Sequence, residues 1–419
     1  MNVRKTIQEI LNASERFQED VFMNVAFVTD SFPPIIDGVG RCVLECAKEF
    51  VAGGHGKCIV VTPHVPGRDY LQYPFPVFHF SSLPLPNMEY RAGYPYMPSL
   101  IKKIGQMGID IIHAHSPFTA MTISKKLRKK FGVPIIYTQH TKWEYDIASA
   151  VGIPVIAKAL EKYIYSNINA ADDVWAVSQK TGEHIKNRGF SGEFTVMQNG
   201  TDFSRADADP ALLESLSQKY EIGERAPILL FVGRMMWYKN QMLTLEALET
   251  LNKRGFDFRM FFIGDGIDLE DMKKTAREKN LHDKVFFPGR IDDRELLRAY
   301  YAKSDLFVFP STYDNAPLVI REAAACGCPP LVIKNSSASE ILDDSKENQT
   351  AFFAEETPES VADGIEGAFS DMGRYEFVKK NAADKIYLPW SKVIERSLAK
   401  YAEICGNYEL RATQKKGGD

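Results

Sequence analysis

A chain of 419 residues is longer than a single hydrophobic core ordinarily serves, so two domains are expected. Hydrophobic residues at 45% and charged residues at 25% exclude a disordered or fibrous class, and a formal net charge of -4 argues against a nucleic-acid binder. The six cysteines, Cys42, Cys46, Cys58, Cys326, Cys328 and Cys405, form neither a C-x-x-C pair nor a zinc spacing, so a reducing cytoplasmic setting is the simpler expectation.

From the start of the chain, Ile7, Ile10, Leu11, Phe17 and Val21 recur at helical spacing, predicting a leading helix over 1–22 that packs on the body. It lacks the unbroken apolar core of a signal peptide, and no later run approaches the roughly 20 apolar residues that span a bilayer. Short β-branched or aromatic runs then alternate with helical patterns, the signature of a parallel sheet covered on both faces. Strands are predicted at 24–29, 57–62, 110–113, 134–138, 173–177 and 194–197. After the polar stretch 202–210 and one more helix the series restarts, with strands at 228–232, 259–263, 284–287, 306–309 and 331–333. The fold class is therefore α/β, with two doubly wound halves over 1–204 and 205–388 and a closing segment over 389–419. In such sheets ligands bind beyond the carboxyl ends of strands, which directs attention to the residues that follow each one.

In the first half, the loop from Asp30 to Gly40 includes Asp37, Gly38 and Val39 and leads into a helix, where a glycine lets backbone approach a phosphate. The G-x-G-x-x-G of a nicotinamide site is absent, which disfavours a dehydrogenase. Ile112-His113-Ala114-His115 sets two histidines past a strand end, pointing the same way. A metal would need a third ligand, and nothing nearby in sequence compels one, so no metal is expected. His140, Thr141 and Lys142, with the aromatic residues Trp143 and Tyr145 after them, suit an acceptor grip or an irregular surface loop. Lys125, Lys126, Arg128, Lys129 and Lys130 form a basic helix end, suited to an anionic membrane surface but also to the negative end of the helix dipole.

In the second half, Gly233-Arg234 and Lys239 follow a strand and together outline an anion site or two solvated loop cations. Phe262-Ile263-Gly264-Asp265-Gly266 and Pro288-Gly289-Arg290 are further strand-to-turn segments. The stretch from Phe309 to Gly327 holds Asp314 and Glu322 with seven residues between them.

This last stretch resembles the E-x(7)-E signature of family 4 retaining glycosyltransferases, among them bacterial diacylglycerol glucosyltransferases and phosphatidylinositol mannosyltransferases. The likeness extends over nearly the whole chain after the leading helix. It implies the GT-B fold, two Rossmann-like domains facing a central cleft with a C-terminal helix crossing back to the first. It also implies transfer of a hexose from a UDP- or GDP-linked nucleotide-sugar, UDP before GDP, to an acceptor hydroxyl with retained configuration, needing no metal and no cofactor. Carried over by motif, Glu322 meets the ribose and Asp314 the donor sugar, while Arg234, Lys239 and the amides of Ala316, Leu318 and Val319 meet the diphosphate. Gly264, Gly266 and Arg290 enclose the nucleoside; Gly38 and Val39 approach the donor on domain closure, and His115 lies beside its sugar. The chain departs from the family at Asp314, Asp37 and Pro317, of which the last can donate no amide. The expected setting is cytoplasmic, peripheral at the inner membrane face if the acceptor is a lipid. Two other readings stay open, a non-catalytic sugar-nucleotide-binding protein and a transferase acting on a soluble glycan or small molecule.

Overall fold

The computed structural model describes residues 22–35, 37–67, 72–85, 91–94, 97–142, 153–220 and 226–416. The expected leading helix lies outside these but for Phe22, as do the acceptor-loop aromatics Trp143 and Tyr145. The chain divides into two compact units, one of Met1–Val177, Gly182–Met197 and Trp390–Asp419, the other of Ser178–Thr181 and Gln198–Pro389. The passage from first to second unit thus falls at Met197–Gln198, a few residues before the predicted boundary at 204.

In chain order the first unit contributes β1 (Val25–Val28), α1 (Gly38–Ala52), β2 (Cys58–Pro63), β3 (Val77–Phe80), β4 (Ser82–Pro84), β5 (Arg91–Gly93), α2 (Pro98–Gly105) and β6 (Ile111–Ala114). It continues with α3 (Thr119–Phe131), β7 (Ile135–Gln139), α4 (Pro154–Ile168), β8 (Asp173–Ala176), α5 (Gln179–Lys186), whose residues up to Thr181 count with the second unit, and β9 (Thr195–Val196). Its main sheet is parallel, ordered β3-β2-β1-β6-β7-β8-β9. The order in which successive strands are added reverses at β1, with all strands still parallel, so β1 and β6 lie side by side, with Val28 opposite Ala114. Ligands of doubly wound sheets bind at such a switch point. β4 and β5 form a separate antiparallel pair that the sequence pattern did not reveal.

The second unit repeats the plan with α6 (Pro210–Lys219), β10 (Ile228–Val232), α7 (Gln241–Lys253), β11 (Arg259–Ile263), α8 (Leu269–Glu278), β12 (Val285–Gly289) and α9 (Arg294–Lys303). Then come β13 (Leu306–Phe309), α10 (Leu318–Ala325), β14 (Pro330–Ile333), β15 (Phe352–Ala354), α11 (Pro358–Ser370) and α12 (Met372–Ile386). The parallel order β12-β11-β10-β13-β14-β15 puts the second switch point between β10 and β13. Strands buried on both faces need continuous apolar sequence rather than alternation, which is why β10 reads Ile-Leu-Leu-Phe-Val with every residue buried. Phe231, Phe261, Phe262, Phe307 and Phe309 fill this core, and Phe27, Ile59, Ile112 and Tyr137 are buried in the first unit's sheet.

Helix starts follow local chemistry. Asp37 caps α1 by accepting from Gly40 N at 2.6 Å, Asp209 precedes Pro210 at the start of α6, and Asp293 accepts from Glu295 N at 2.9 Å at the start of α9. The long α13 (Trp390–Lys416) belongs to the first unit and packs on α1. Its Tyr401 stacks on Trp175, with ring centroids 5.5 Å apart, and its hydroxyl meets His113 Nδ1 at 2.6 Å. Among the described residues no helix is long and apolar enough to cross a membrane.

Candidate functional site

In the second unit the predicted residues gather past the carboxyl ends of β10 to β13. After β10 the chain makes a 3-10 turn, Trp237–Lys239, ended by Asn240 at φ 64°, and this turn buries Lys239. Lys239 Nζ donates to Asp314 Oδ1 at 2.7 Å and to Oδ2 at 3.0 Å, and Ser311 Oγ donates to Oδ2 at 2.7 Å. Burial by itself would raise the Asp314 carboxyl; Lys239, Ser311 and the nearby positive charge of Arg234 outweigh it and hold the group below its ordinary value. Asp314 is therefore an ionised acceptor locked to a cation. Gln241, itself fully buried, donates to the Arg234 carbonyl at 2.8 Å and so fixes the exposed loop that carries this arginine.

The start of α10 differs from its neighbours, since Pro317 stands at the N-cap and no side chain caps the helix. The first-turn amides of Leu318 and Val319, two and three residues beyond the partly buried Ala316, have no acceptor within the helix. That is an anion-receptive terminus four residues after Asp314, the partner of Lys239.

Glu322, about one turn further along the same helix, is 6% exposed and already engaged. Arg294 Nη1 donates to its Oε1 at 3.0 Å and Tyr301 Oη to its Oε2 at 3.0 Å. Arg294 also bonds Asp202, and its guanidinium lies 3.8 Å from the centroid of Phe203. Sequence reasoning missed Arg294 and Tyr301. Asp293 as a helix cap signalled where α9 begins, but nothing in the sequence showed that the next residue turns inward.

Gly264 and Gly266 acquire a packing reason independent of any ligand. A Cβ on Gly264, which has φ +144°, would lie 1.9 Å from the Gly233 carbonyl oxygen, and one on Gly266 would lie 2.2 Å from that of Met235. The two strand-to-turn loops thus lean on each other through bare backbone. Gly264→Ala should lower the unfolding free energy by about 3 kcal/mol or more, from backbone strain plus steric overlap, a loss measurable by chemical denaturation. Arg290 is exposed, and its Nε donates to Asp292 at 2.7 Å.

In the first unit, Asp37 takes up the Gly40 amide, and a Cβ on Gly40 would sit 3.0 Å from Phe32 Cα, whereas Gly38 has open space around it. Val39 is buried. His113 is spoken for at both ring nitrogens, by Tyr401 and by Thr138 Oγ1 at 2.6 Å. His115, 2% exposed, pairs its Nδ1 with His140 Nε2 at 2.9 Å, and its Nε2 is buried with no partner. Thr141 and Lys142 follow, partly buried, at the end of β7. Of the basic cluster, Lys125 donates to Asn167 and Arg128 to the Ala170 carbonyl and to Asp172, so these two cations are tied into the fold at α4. Lys129 and Lys130 are exposed, and Lys126 is partly buried.

Burial pushes all three imidazoles below the ordinary value of 6.5, His113 and His140 to about 3. The unfolded chain takes up protons on these rings below about pH 6.5, while the folded rings resist them well below that, His113 and His140 down to about 3. The unfolded state therefore binds more protons across that window, and stability falls as pH drops. The melting temperature of the first unit should decline from pH 6.5 towards 4, and His140→Gln should flatten that slope.

A family model described as glycosyl transferases group 1 matches residues 214–385, and one described as glycosyltransferase family 4 matches residues 36–205. The α-monoglucosyldiacylglycerol synthase of Streptococcus pneumoniae is 24% identical over 328 residues, covering 77% of this chain and 74% of that enzyme. A GDP-mannose-dependent α-mannosyltransferase of Corynebacterium glutamicum is 26% identical over 321 residues, covering 73% of this chain and 71% of its own. Among solved structures, Anabaena HepE in complex with UDP-glucose aligns with TM-score 0.70 at 19% identity, over 91% of this chain and 99% of that one. Two family models that between them match most of the chain, over two parallel-sheet units and with GT-B neighbours in fold, lead to one assignment: the chain is a GT-B glycosyltransferase of family 4.

Proposed function

We propose that the protein is a retaining, metal-independent hexosyltransferase that takes its sugar from a UDP-hexose and passes it to a lipid hydroxyl, diacylglycerol being the model acceptor. The observation that carries this reading is the buried Lys239–Asp314 pair in the same loop region as the uncapped start of α10, at the switch point of the second sheet. A leaving diphosphate needs positive potential fixed in place before the bond breaks. Lys239, Arg234 and the amides of Leu318 and Val319 supply it without reorganisation, and Asp314, held ionised, accepts from sugar hydroxyls. Glu322 keeps lone pairs to spare for ribose hydroxyls, because a carboxylate offers about four acceptor positions and two are used. His115 and the open Gly38 loop are the first unit's contribution to the reaction.

The lipid acceptor draws support from relatives named for glucosyldiacylglycerol synthesis and from exposed apolar residues at the start of α4, Ile153, Val155 and Ile156, on the helix that packs against the basic α3. Peripheral docking at an anionic surface would use Lys129 and Lys130 rather than the whole cluster. Uridine over guanine rests on the fold neighbours solved with UDP and UDP-glucose, against the GDP-mannose-dependent relatives.

The test is incubation with UDP- and GDP-hexoses, with and without diacylglycerol-containing liposomes, reading free nucleotide and glycolipid by mass spectrometry. Liposome-dependent nucleotide release with a glycolipid product is expected. Hydrolysis without lipid product would redirect the acceptor to a soluble molecule. Tight nucleotide binding without turnover would replace the transferase by a sugar-nucleotide-binding protein.

A further inference from the structure

Three elements of the first unit bring a thiol and two imidazoles to one point. Cys42 comes from α1, His115 follows β6 and His140 follows β7, and one potential ligand atom from each lies within 4.8 Å of the other two. Cys42 is 3% exposed and His115 2%, while His140 is partly exposed and gives an approach from solvent. The His115 and His140 rings lie nearly parallel, 21° apart with centroids at 5.2 Å.

The telling atom is His115 Nε2, buried and without a hydrogen-bond partner. In the tautomer that donates from Nδ1 to His140, this nitrogen carries a lone pair aimed at no donor. An orphaned acceptor in a closed site costs free energy that a cation would recover. We infer that Cys42, His115 and His140 form a binding site for a thiophilic divalent cation of the zinc type, which acts as an inhibitor of the protein and not as its cofactor.

The chemistry of the donor set selects the ion. One thiolate and two imidazoles suit zinc and its spectroscopic substitute cobalt, and disfavour magnesium and calcium, which demand oxygen ligands. Tetrahedral zinc, with Zn–N near 2.0 Å and Zn–S near 2.3 Å, places ligand atoms roughly 3.3–3.6 Å apart, so side chains already within 4.8 Å need draw in by about an ångström. Three ligands leave a fourth position for water. Imidazole ligates as the neutral ring and the thiol as thiolate, so the thiol supplies the proton displaced: the His115–His140 hydrogen bond opens to free the His140 lone pair, Cys42 S–H breaks, a sulfur–metal bond forms and the proton leaves to buffer.

The inhibitory part rests on the transferase reading, in which His115 serves the reaction; an ion on this ring removes it. The binding part does not depend on that reading. Reduced protein titrated with Co2+ should develop a thiolate-to-metal charge-transfer band that saturates at one ion per chain, is displaced by Zn2+ and is untouched by Mg2+. Calorimetry in buffers of different ionisation enthalpy should find one proton released per ion. Cys42→Ala and the near-isosteric Cys42→Ser should weaken Zn2+ binding by about 100-fold or more, beyond what losing an outer partner costs. Cys46→Ala, one helical turn away, should retain the affinity. With a donor and acceptor established, wild-type turnover should be stopped by Zn2+ and restored by chelator, while Cys42→Ala turns over normally and resists zinc. Absence of the thiolate band, or undiminished affinity in a folded Cys42 variant, overturns the site. A band and stoichiometry as expected, in a protein without transfer activity, would uphold the site and retire the transferase reading instead.

Discussion

Replacing Lys239 by Met should lower transferase turnover by about two to three orders of magnitude, the scale on which a fixed positive group acts on charge that develops in a transition state. Two separate losses follow from the geometry. The leaving diphosphate forfeits its buried cation, and Asp314 forfeits the partner that keeps it ionised against burial. The second loss also costs stability, since removing one member of a buried pair leaves the other uncompensated, typically about 3–5 kcal/mol and less here because Asp314 is about one-fifth exposed. The double variant Lys239→Met with Asp314→Asn separates the two effects. It should regain most of the melting temperature, because no isolated charge is left behind, and none of the turnover. A single variant with turnover within tenfold of wild type, or a double variant that recovers activity, would show that Lys239 is structural only.

The alternation of apolar runs and amphipathic stretches made the two parallel sheets legible, because strands buried on both faces cannot hide among polar residues. Elements too short for a period were not legible. The three-residue β15 and the three-residue strands β4 and β5 each offer too few positions for alternation to rise above chance. Sites on strand ends were legible for the same reason as the fold: once β10, β13 and β6 were located, the next residues were Arg234, Asp314 and His115. Partners were not. Cys42 lies on a helix face that looks like ordinary core, and its approach to His115 and His140 exists only because β1 and β6 are neighbours at the switch point. The basic helix was visible as charge, yet charge alone could not show that Lys125 and Arg128 turn inward to Asn167 and Asp172.

Arg294 is the clearest case of a residue that only contacts identify, and its replacement should have the second large effect. The side chain holds Asp202 and Glu322 apart as a shared cation, lies on the face of Phe203, and stays strongly protonated: burial works against its charge, and the two carboxylates overcome that. Arg294→Met leaves two acids without their cation in a largely closed site, so a destabilisation of about 3 kcal/mol is expected, or roughly 6–12 °C in the transition of the second unit. Arg294→Lys keeps a charge but cannot reach both acids with a planar fork, and should fall between. Nucleotide binding distinguishes two roles for this arginine. If it orients Glu322, both variants weaken nucleotide affinity, by about tenfold for Met, and Tyr301→Phe weakens it less because one of two anchors remains. If Arg294 instead competes with the ribose for Glu322, Arg294→Met binds nucleotide more tightly despite its lower stability. The fixed geometry favours the first outcome: Tyr301 and Arg294 each occupy one oxygen and leave lone pairs on both, which is the arrangement that presents a carboxylate to two adjacent hydroxyls.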